Sequence, residues 1–385
     1  MTSKHRFLWA LERKIPDRLP VTTHHVMESY LDRRLKRRSV QEFFDIFGLD
    51  PILWVVALRP DESRGERFDP SQPAPGFLQA RRLCSDDWRI ETESLSGSSQ
   101  GSVRYLFSTP RKTLTMVLRD DGATTWVTER LIKDKSDLDI FARWAPRPLC
   151  DVVEVNRQAE AFGDRGMVRG LVPGFEVYGQ SGCWQDAAVL FGIENLILET
   201  YSDPEWVRAF LSVLGERKQA YIRSMDGARF DLVEHGGGDA SSTVISPRIF
   251  DEFVAPYDAP LIASARQAGQ RVVYHTCGGM MPLLEGLADM GPEALETFTP
   301  RSMGGDAELR EAKRRVGRRV CLIGGFDQFH FFVGCSPEET RREVRRCFEE
   351  AGEGGGYILA PSDHFFEAEP ELLRAYSDEA RRCLY

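Results

Sequence analysis

The chain has 385 residues, of which 42% are hydrophobic and 28% charged, and its formal net charge is −9. This negative charge disfavours a sequence-independent nucleic-acid binder, because phosphate binding requires a basic surface. No apolar run approaches the roughly 18–20 residues that span a bilayer, and residues 1–14 lack the apolar core of a signal peptide. We therefore expect a cytoplasmic protein that binds neither nucleic acid nor membrane.

Short apolar runs predict eight β-strands along the chain. From residue 160 onward each run is four to six residues long and ends in Gly, Pro or Asp, as is typical of buried parallel strands. Two further runs lie near the N-terminus. The predicted strands are 19–23, 52–58, 167–171, 231–234, 271–274, 294–299, 320–323 and 357–360.

Helix start signals separate the later strands. A Ser or Asp followed by Pro marks helices that begin near residues 204, 247 and 337, and Gly269 and Gly352 stand where two of them should end. Alternating strands and helices form right-handed βαβ units, and eight strands close a (β/α)8 TIM barrel. A doubly wound open sheet is the alternative.

Residues 60–135 interrupt this alternation. They are rich in Ser, Gly, Thr and Arg, and residues 103–107 and 113–118 alternate between apolar and polar side chains. Asp120-Asp121-Gly122 has the composition of a hairpin turn. We predict an antiparallel β insertion after strand two, lying over the barrel mouth, and a single barrel domain over residues 1–385.

Six of the seven histidines follow a predicted strand end, and His5 is the exception. In a barrel these ends meet at one face, where the active site forms. Eight cysteines without a CxxC pair indicate reduced thiols. The residues that we predict to bind substrate at this face are His24, His25, His235, Asp327 and His330.

The sharpest local signal is His275-Thr276-Cys277-Gly278-Gly279. His and Cys two residues apart on a strand point to the same face, so both can bind one metal ion, and this donor pair favours zinc. The alternative is a half-buried histidine beside a small hydrophobic cysteine. A third ligand stays open among Asp363, His364, Glu296, Cys321, Glu234 and His235.

Carboxylates at the same face are candidates for proton transfer. We predict Glu234, Asp239 and Glu296 as catalytic acids or bases. The segment 234–239 also fits a glycine-rich turn with a satisfied acid, and Asp363 also fits the cap of a helix that begins at Pro370. No phosphate-binding or dinucleotide-binding glycine motif occurs.

Five short motifs in this order resemble the uroporphyrinogen decarboxylase superfamily, and within it the corrinoid-dependent methyltransferase branch. They lie at 15–21 (Ile-Pro-Asp-Arg-Leu-Pro-Val), 238–247, 275–278, 324–327 and 357–361. The resemblance implies a (β/α)8 barrel and a homodimer. Decarboxylases of the superfamily carry an arginine-bearing segment after the first motif, and Thr-Thr-His-His-Val-Met-Glu-Ser-Tyr replaces it here.

The methyltransferase branch binds zinc with His-x-Cys and a distant Cys after the last strand. His275 and Cys277 fit this pattern, whereas Asp363 or His364 stands in place of the second Cys. The resemblance implies a demethylase whose metal polarises the leaving oxygen of a methoxylated aromatic or similar donor. The resemblance also implies that the methyl group passes to cobalamin carried by a separate corrinoid protein, or in the reverse direction from cobalamin to an acceptor. The alternatives are a decarboxylase or lyase acting on a carboxylated small molecule, and a non-catalytic binding barrel.

Overall fold

The structure is a computed structural model that describes residues 1–73, 79–95, 101–122 and 124–385. Its strands are β1 Ile52–Trp54, β2 Leu58–Arg59, β3 Arg67–Phe68, β4 Leu83–Cys84, β5 Arg89–Ser94, β6 Ser102–Ser108, β7 Thr113–Asp120, β8 Thr125–Glu129, β9 Leu149–Cys150, β10 Met167–Leu171, β11 Leu232–Gly236, β12 Val272–His275, β13 Ala294–Thr297, β14 Cys321–Gly324 and β15 Tyr357–Ile358.

Helices connect most of these strands. They are α1 Ser3–Leu11, α2 Glu28–Leu35, α3 Val40–Phe47, α4 Asp137–Trp144, α5 Val152–Phe162, α6 Cys183–Phe191, α7 Ile193–Ser202, α8 Pro204–Arg223, α9 Pro247–Ile249, α10 Ala255–Gln267, α11 Leu284–Asp289, α12 Leu309–Val316, α13 Gln328–Phe331, α14 Pro337–Ala351 and α15 Pro370–Arg382. Within the described residues, no helix combines the length and apolarity needed to cross a membrane.

Seven parallel strands form a curled central sheet in the order β1-β10-β11-β12-β13-β14-β15. The order follows the chain without a reversal, so the doubly wound alternative is wrong, because that fold changes direction at a switch point. Each of the last six predicted strands coincides with one of these strands to within two residues. Parallel pairing brings the carboxyl ends of all seven strands to one edge.

The first predicted strand, 19–23, lies beside the last strand. Thr22 N donates to Leu359 O at 2.9 Å, and Leu359 N donates to Pro20 O at 2.9 Å. On its other side, Asp50 N donates to Val21 O at 2.7 Å. The segment forms an isolated parallel bridge at Val21 instead of a longer ladder, and Pro20 has no N–H to extend it.

Two predicted elements are shorter or less regular than expected. The predicted strand 52–58 divides into β1 and β2, and β2 turns away to pair antiparallel with β9. The predicted helix 247–268 contains a π-helical segment at Phe250–Val254 between α9 and α10. Pro256 and Pro260 lack the N–H of the regular helical bond, which favours such irregularity.

Four antiparallel strands, β5 to β8, form a separate sheet within the predicted insertion. Phe107 and Met116 are fully buried on one face of it, and Phe107 packs against Trp88 and against Phe175 from the segment that follows β10. The sheet therefore lies against a strand end of the central sheet. Residues 74–78, 96–100 and 123 of the predicted insertion lie outside the described residues.

Candidate functional site

Strand alternation separates two sets of polar side chains on the central sheet. In the parallel register, His235 of β11 stands opposite Tyr274 of β12, and His275 stands opposite Glu296 of β13. Glu234, His275 and Glu296 share a cluster at the strand ends, whereas His235 and Tyr274 point to the helix layer. Neighbouring residues of one strand thus lie in different environments.

Three donor atoms of different chemistry meet after β12 and β15. His275 Nε2 lies 2.9 Å from Cys277 Sγ, and Cys277 Sγ lies 3.1 Å from Asp363 Oδ2. All three ligand atoms lie within 4.8 Å of one another. We call these residues the His–Cys–Asp group. A nitrogen, a sulfur and a carboxylate oxygen at this spacing can hold one metal ion.

His275 also belongs to a second cluster through its other ring nitrogen. His275 Nδ1 lies 2.9 Å from Glu296 Oε1, and His24 Nε2 lies 2.9 Å from Glu234 Oε2 and 3.6 Å from Glu296 Oε1. We call His24, Glu234, His275 and Glu296 the acid group; its ligand atoms also lie within 4.8 Å of one another. A carboxylate on Nδ1 leaves Nε2 facing Cys277, which is how metal-binding histidines are commonly oriented.

Arg169 of β10 completes the acid group, and the sequence analysis missed it. Its guanidinium hydrogen-bonds Glu234 at 2.6 Å and also Glu296, and its side chain is only 1% exposed. Burial raises the pKa of Glu296, but the charges of Arg169 and His24 outweigh burial and hold that pKa well below its usual range. A charged residue inside the apolar run 167–171 was the signal that could have revealed it.

The protonation of the His–Cys–Asp group suits a metal-binding role. Burial, partly opposed by His275, raises the pKa of the Cys277 thiol to about 11. Burial also raises the pKa of Asp363, but its hydrogen bond to His364 and the charge of His275 lower it below the ordinary value. The metal-free site therefore holds a thiol and a carboxylate, and metal binding would release the thiol proton.

The backbone after His275 requires glycine. Gly278 has φ +90°, and a Cβ on it would lie 2.5 Å from Thr243 Oγ1. Gly278 N donates to Thr299 Oγ1 at 3.1 Å. The glycines that follow the His-x-Cys motif thus allow the loop after β11 to approach Cys277 closely. Thr297, directly after Glu296, has φ 100°, a strained conformation of a kind that clusters at functional sites.

His25 and His364 border the His–Cys–Asp group without contributing to its three donor atoms. His25 Nδ1 lies 2.8 Å from His24 Nδ1, and its ring stacks on that of His364 at 4.9 Å. His364 Nδ1 lies 2.9 Å from Asp363 Oδ1. Of the two candidates in the last loop, Asp363 therefore joins His275 and Cys277, and His364 orients it.

Two residues predicted for substrate or metal binding lie away from the site. His235 is 1% exposed, with Nε2 3.1 Å from Asp258 Oδ1 of α10. The expectation that it faces the mouth is wrong, because it is the outward residue beside inward-facing Glu234. Cys321 begins β14, at the strand end opposite to the mouth, and belongs to neither candidate metal group.

The remaining predicted residues form local contacts of their own. Asp327 caps α13, with Oδ1 accepting from His330 N, and its Oδ2 binds His330 Nδ1 at 2.8 Å. Asp239 lies outside both metal groups; Trp184 Nε1 donates to its carbonyl oxygen at 3.1 Å, and burial raises the pKa of its carboxyl group. The structure does not bring these three residues into the cluster.

A cavity of about 550 Å³ opens beside Glu234. One wall is the antiparallel sheet, with Val103, Tyr105 and Leu118, and the other is the segment 171–181 after β10. A volume of this size accommodates a small molecule, since ligand pockets span about 300–1,000 Å³. The predicted insertion thus contributes to a space next to the acid group.

The fold and the clustered strand-end residues define an α/β protein with a candidate active site at the carboxyl edge of a parallel sheet. Residues 173–382 match the family model described as uroporphyrinogen decarboxylase. Because this match covers more than half of the chain, the protein belongs to the uroporphyrinogen decarboxylase family. The matched region contains both members of the His-x-Cys motif and Asp363.

Curated relatives match over a smaller region. The uroporphyrinogen decarboxylase of Neisseria meningitidis is 31% identical over 164 residues, which cover 41% of this chain and 43% of that protein. The one from Thioalkalivibrio sulfidiphilus is 27% identical over 191 residues, covering 48% and 50%. The chain thus spans half or less of the length of these relatives.

A solved structure matches along nearly the whole chain. A methyltransferase from Methanosarcina mazei has a TM-score of 0.62 and 16% sequence identity, and the match covers 99% of both chains. At this identity the likeness establishes a shared fold and nothing beyond it.

Proposed function

We propose that this protein is a methyltransferase that moves a methyl group between a small methylated substrate, such as a methoxylated aromatic, and a separate corrinoid protein. The observation that carries the proposal is the His–Cys–Asp group, in which three donors suited to zinc meet at the carboxyl ends of parallel strands. The fold shared with a methyltransferase along the whole chain agrees with it.

The donor set fits zinc in number and chemistry. Three protein ligands with a remaining open position are typical of catalytic zinc, and a thiolate with an imidazole excludes the harder Mg²⁺ and Ca²⁺ as preferred ions. When bound, zinc supplies Lewis acidity to the heteroatom from which the methyl group departs. His275, Cys277 and Asp363 would hold it.

The neighbouring residues have separate roles in this proposal. Glu296 fixes the ring of His275 through Nδ1, so that Nε2 faces Cys277. Arg169 compensates the charges of Glu296 and Glu234 in a buried setting. Glu234 borders the cavity and contacts His24 at 2.9 Å, so this pair is placed to hold or deliver a proton at the substrate heteroatom.

A decarboxylase or lyase acting on a carboxylated small molecule is the alternative, and the names of the curated relatives favour it. Such a reaction needs cations that bind substrate carboxylates. Among the described residues that line the cavity beside Glu234, Arg82 is the one cation, and Asp69 lies 2.8 Å from it. Arg169 is likewise occupied by Glu234. The charge around the cavity therefore supports the methyltransferase.

The proposal extends to the architecture. Residues 19–23 would complete an eight-stranded (β/α)8 barrel between β15 and β1, supported by the hydrogen bonds of Thr22 and Val21 to both sides. The whole chain would then be one barrel domain in which 60–135 is an insertion over the mouth.

A reconstituted assay tests the proposal. The purified protein, 2-methoxyphenol and reduced cobalamin are mixed, and the absorbance of methyl-cobalt is followed while zinc per chain is measured by mass spectrometry. We expect methyl-cobalt formation and about one zinc per chain in the wild type, and loss of both in Cys277→Ala.

Cys321→Ala provides a matched control, because this buried thiol lies at the opposite end of the strand layer. It should keep both zinc and methyl transfer. A metal-free wild type that transfers methyl groups at an unchanged rate would overturn the metal-assisted proposal.

A further inference from the structure

Aromatic rings line the cavity beside Glu234. Tyr105 of β6 and Tyr178 after β10 are both half-buried cavity residues. Tyr178 is fixed in place because its hydroxyl donates to Thr125 O at 2.6 Å. Phe175 adds a third ring, which is held from behind by Trp88 and Phe107. Rings positioned in this way favour a flat, ring-containing ligand, through offset or edge-to-face contacts.

Of the four charged residues among the described cavity lining, three are acidic, and the fourth, Arg82, is paired with Asp69. The three acidic residues are Asp120, Glu176 and Glu234. Arg217 lies 3.5 Å from Glu176, and Arg169 lies 2.6 Å from Glu234, so cations compensate these two carboxylates.

Asp120 differs from the other two carboxylates in its partners. It accepts hydrogen bonds from two neutral groups, Gly122 N at 2.6 Å and the Thr125 hydroxyl at 2.5 Å. These bonds fix the carboxylate at the end of β7 without neutralising its charge. Among the described residues, no ion pair to Asp120 occurs, so a ligand in the cavity meets a negative charge at the rim. The faces of the tyrosine rings in the same cavity also attract cations.

We propose that this cavity selects an uncharged or cationic aromatic ligand and rejects a carboxylated one, and that Asp120 is a specificity-determining residue for this choice. The inference rests on the proposed function in that the ligand is taken to be the methyl donor. A carboxylate on the ring would be repelled by Asp120 and would find Arg82 already paired with Asp69, which leaves its charge uncompensated.

Three ring-matched probes test the charge preference. Vanillyl alcohol, vanillate and vanillylamine share a hydroxy-methoxyphenyl ring and carry charges of zero, minus one and plus one. Isothermal titration calorimetry with the full chain at low ionic strength should give a Kd for vanillate roughly ten-fold weaker than for the alcohol, since unit charges interact appreciably at several ångströms near a protein surface. Vanillylamine should bind at least as tightly as the alcohol.

Substitutions test whether the charge preference among the three probes arises in the cavity. Asp120→Asn should reduce the ratio of the Kd for vanillate to the Kd for vanillyl alcohol by roughly two- to threefold. Asp45→Asn is the control, because it removes the same charge from an exposed position on α3, where Asp45 pairs with Arg165. It should leave the ratio of the two Kd values unchanged. Tyr105→Ala should weaken the binding of all three probes to the same extent, because the probes are expected to lie between the aromatic rings of the cavity.

The inference would be overturned if vanillate bound as tightly as vanillyl alcohol. It would also be overturned if Asp120→Asn and Asp45→Asn changed the ratio of the two Kd values equally. Failure of all three probes to bind would also overturn it, because the cavity would then not take an aromatic ring of this class. The expected ranking without methyl transfer to cobalamin would count against the proposed function alone. Methyl transfer from a different donor, without the ranking, would count against this inference alone.

Discussion

The two faces of β11 and β12 carry similar residues in opposite environments. On the inner face, Glu234 and His275 belong to a cluster that borders a cavity, and the nearby Asp363 side chain is 29% exposed. On the outer face, His235 and Tyr274 surround the fully buried Asp258. Asp258 accepts from Tyr274 OH at 2.8 Å and from Cys183 N at 3.1 Å.

A histidine and an acid at a strand end therefore do not by themselves indicate a functional site. The side of the strand determines which environment a side chain enters, because one step along the chain moves it from the inner face of the sheet to the helix layer. The inner cluster should therefore govern metal binding and activity, and the outer one stability. Five predictions test this division.

The largest effect is expected from Cys277→Ala on the inner face. Loss of the thiol should lower methyl transfer roughly a thousand-fold, because the Lewis acid it helps to hold contributes several kcal/mol to such reactions. The midpoint of thermal unfolding of the metal-free protein should stay close to that of the metal-free wild type. A large drop in this midpoint would place Cys277 among the structural residues instead.

On the outer face, Asp258→Ala should lower the free energy of unfolding by about 3–5 kcal/mol. The substitution leaves the buried Tyr274 hydroxyl and Cys183 N–H without their acceptor and His235 without its neighbouring carboxylate. Zinc per folded chain should be unchanged. Urea unfolding combined with metal analysis measures both quantities. Loss of zinc from chains that remain folded would contradict the separation of the two faces.

Glu296→Gln tests the contact between Glu296 and His275 Nδ1. Partners of metal-binding histidines typically affect metal affinity ten- to a hundred-fold, so we expect zinc binding to weaken by that factor. Competition with a chelator of known affinity gives the value. An unchanged affinity would show that Glu296 does not orient the ring.

The sequence predicted much of this arrangement. The His-x-Cys spacing placed His275 and Cys277 on one side of a strand end, and the count of apolar runs placed the curled parallel sheet. The sequence did not show which residues of β11 face the inner cluster and which face the helix layer, so the opposite orientations of Glu234 and His235 were not predicted. Arg169 escaped notice because its partners Glu234 and Glu296 lie 65 and 127 residues away, and only tertiary packing brings them together.

Lowering the pH should reduce the contribution of the outer cluster to the free energy of unfolding. Burial raises the pKa of Asp258, but His235 and the hydrogen bonds from Cys183 N and Tyr274 lower it below the ordinary value. A carboxyl whose folded pKa is lowered stabilises the protein above its unfolded pKa, and this contribution is lost as the pH falls through the folded pKa.

The free energy of unfolding of the wild type should therefore decrease as the pH falls below about 4. Urea titrations at several pH values measure this decrease. Asp258→Asn should show a shallower dependence over the same range, since its amide does not titrate. Parallel curves for the two proteins would rule out Asp258 as a source of the acid sensitivity.

The smallest effect is expected from His330→Ala. His330 is 58% exposed and contacts Asp327 at 2.8 Å on α13, away from both clusters. Because the histidine of this pair is mostly solvent-exposed, the pair should contribute about 0–1 kcal/mol even though Asp327 is buried. The free energy of unfolding should therefore change by no more than that, and zinc content should stay constant. A loss of zinc in this variant would extend the functional site toward α13.

Zinc K-edge X-ray absorption of the purified wild type identifies the ligands of the proposed metal centre. We expect one sulfur ligand at about 2.3 Å with nitrogen or oxygen ligands at about 2.0–2.2 Å. Cys321→Ala should give the same spectrum, and Cys277→Ala should hold no zinc to give one. A spectrum without sulfur, or a protein that binds no zinc, would contradict a metal centre formed by His275, Cys277 and Asp363.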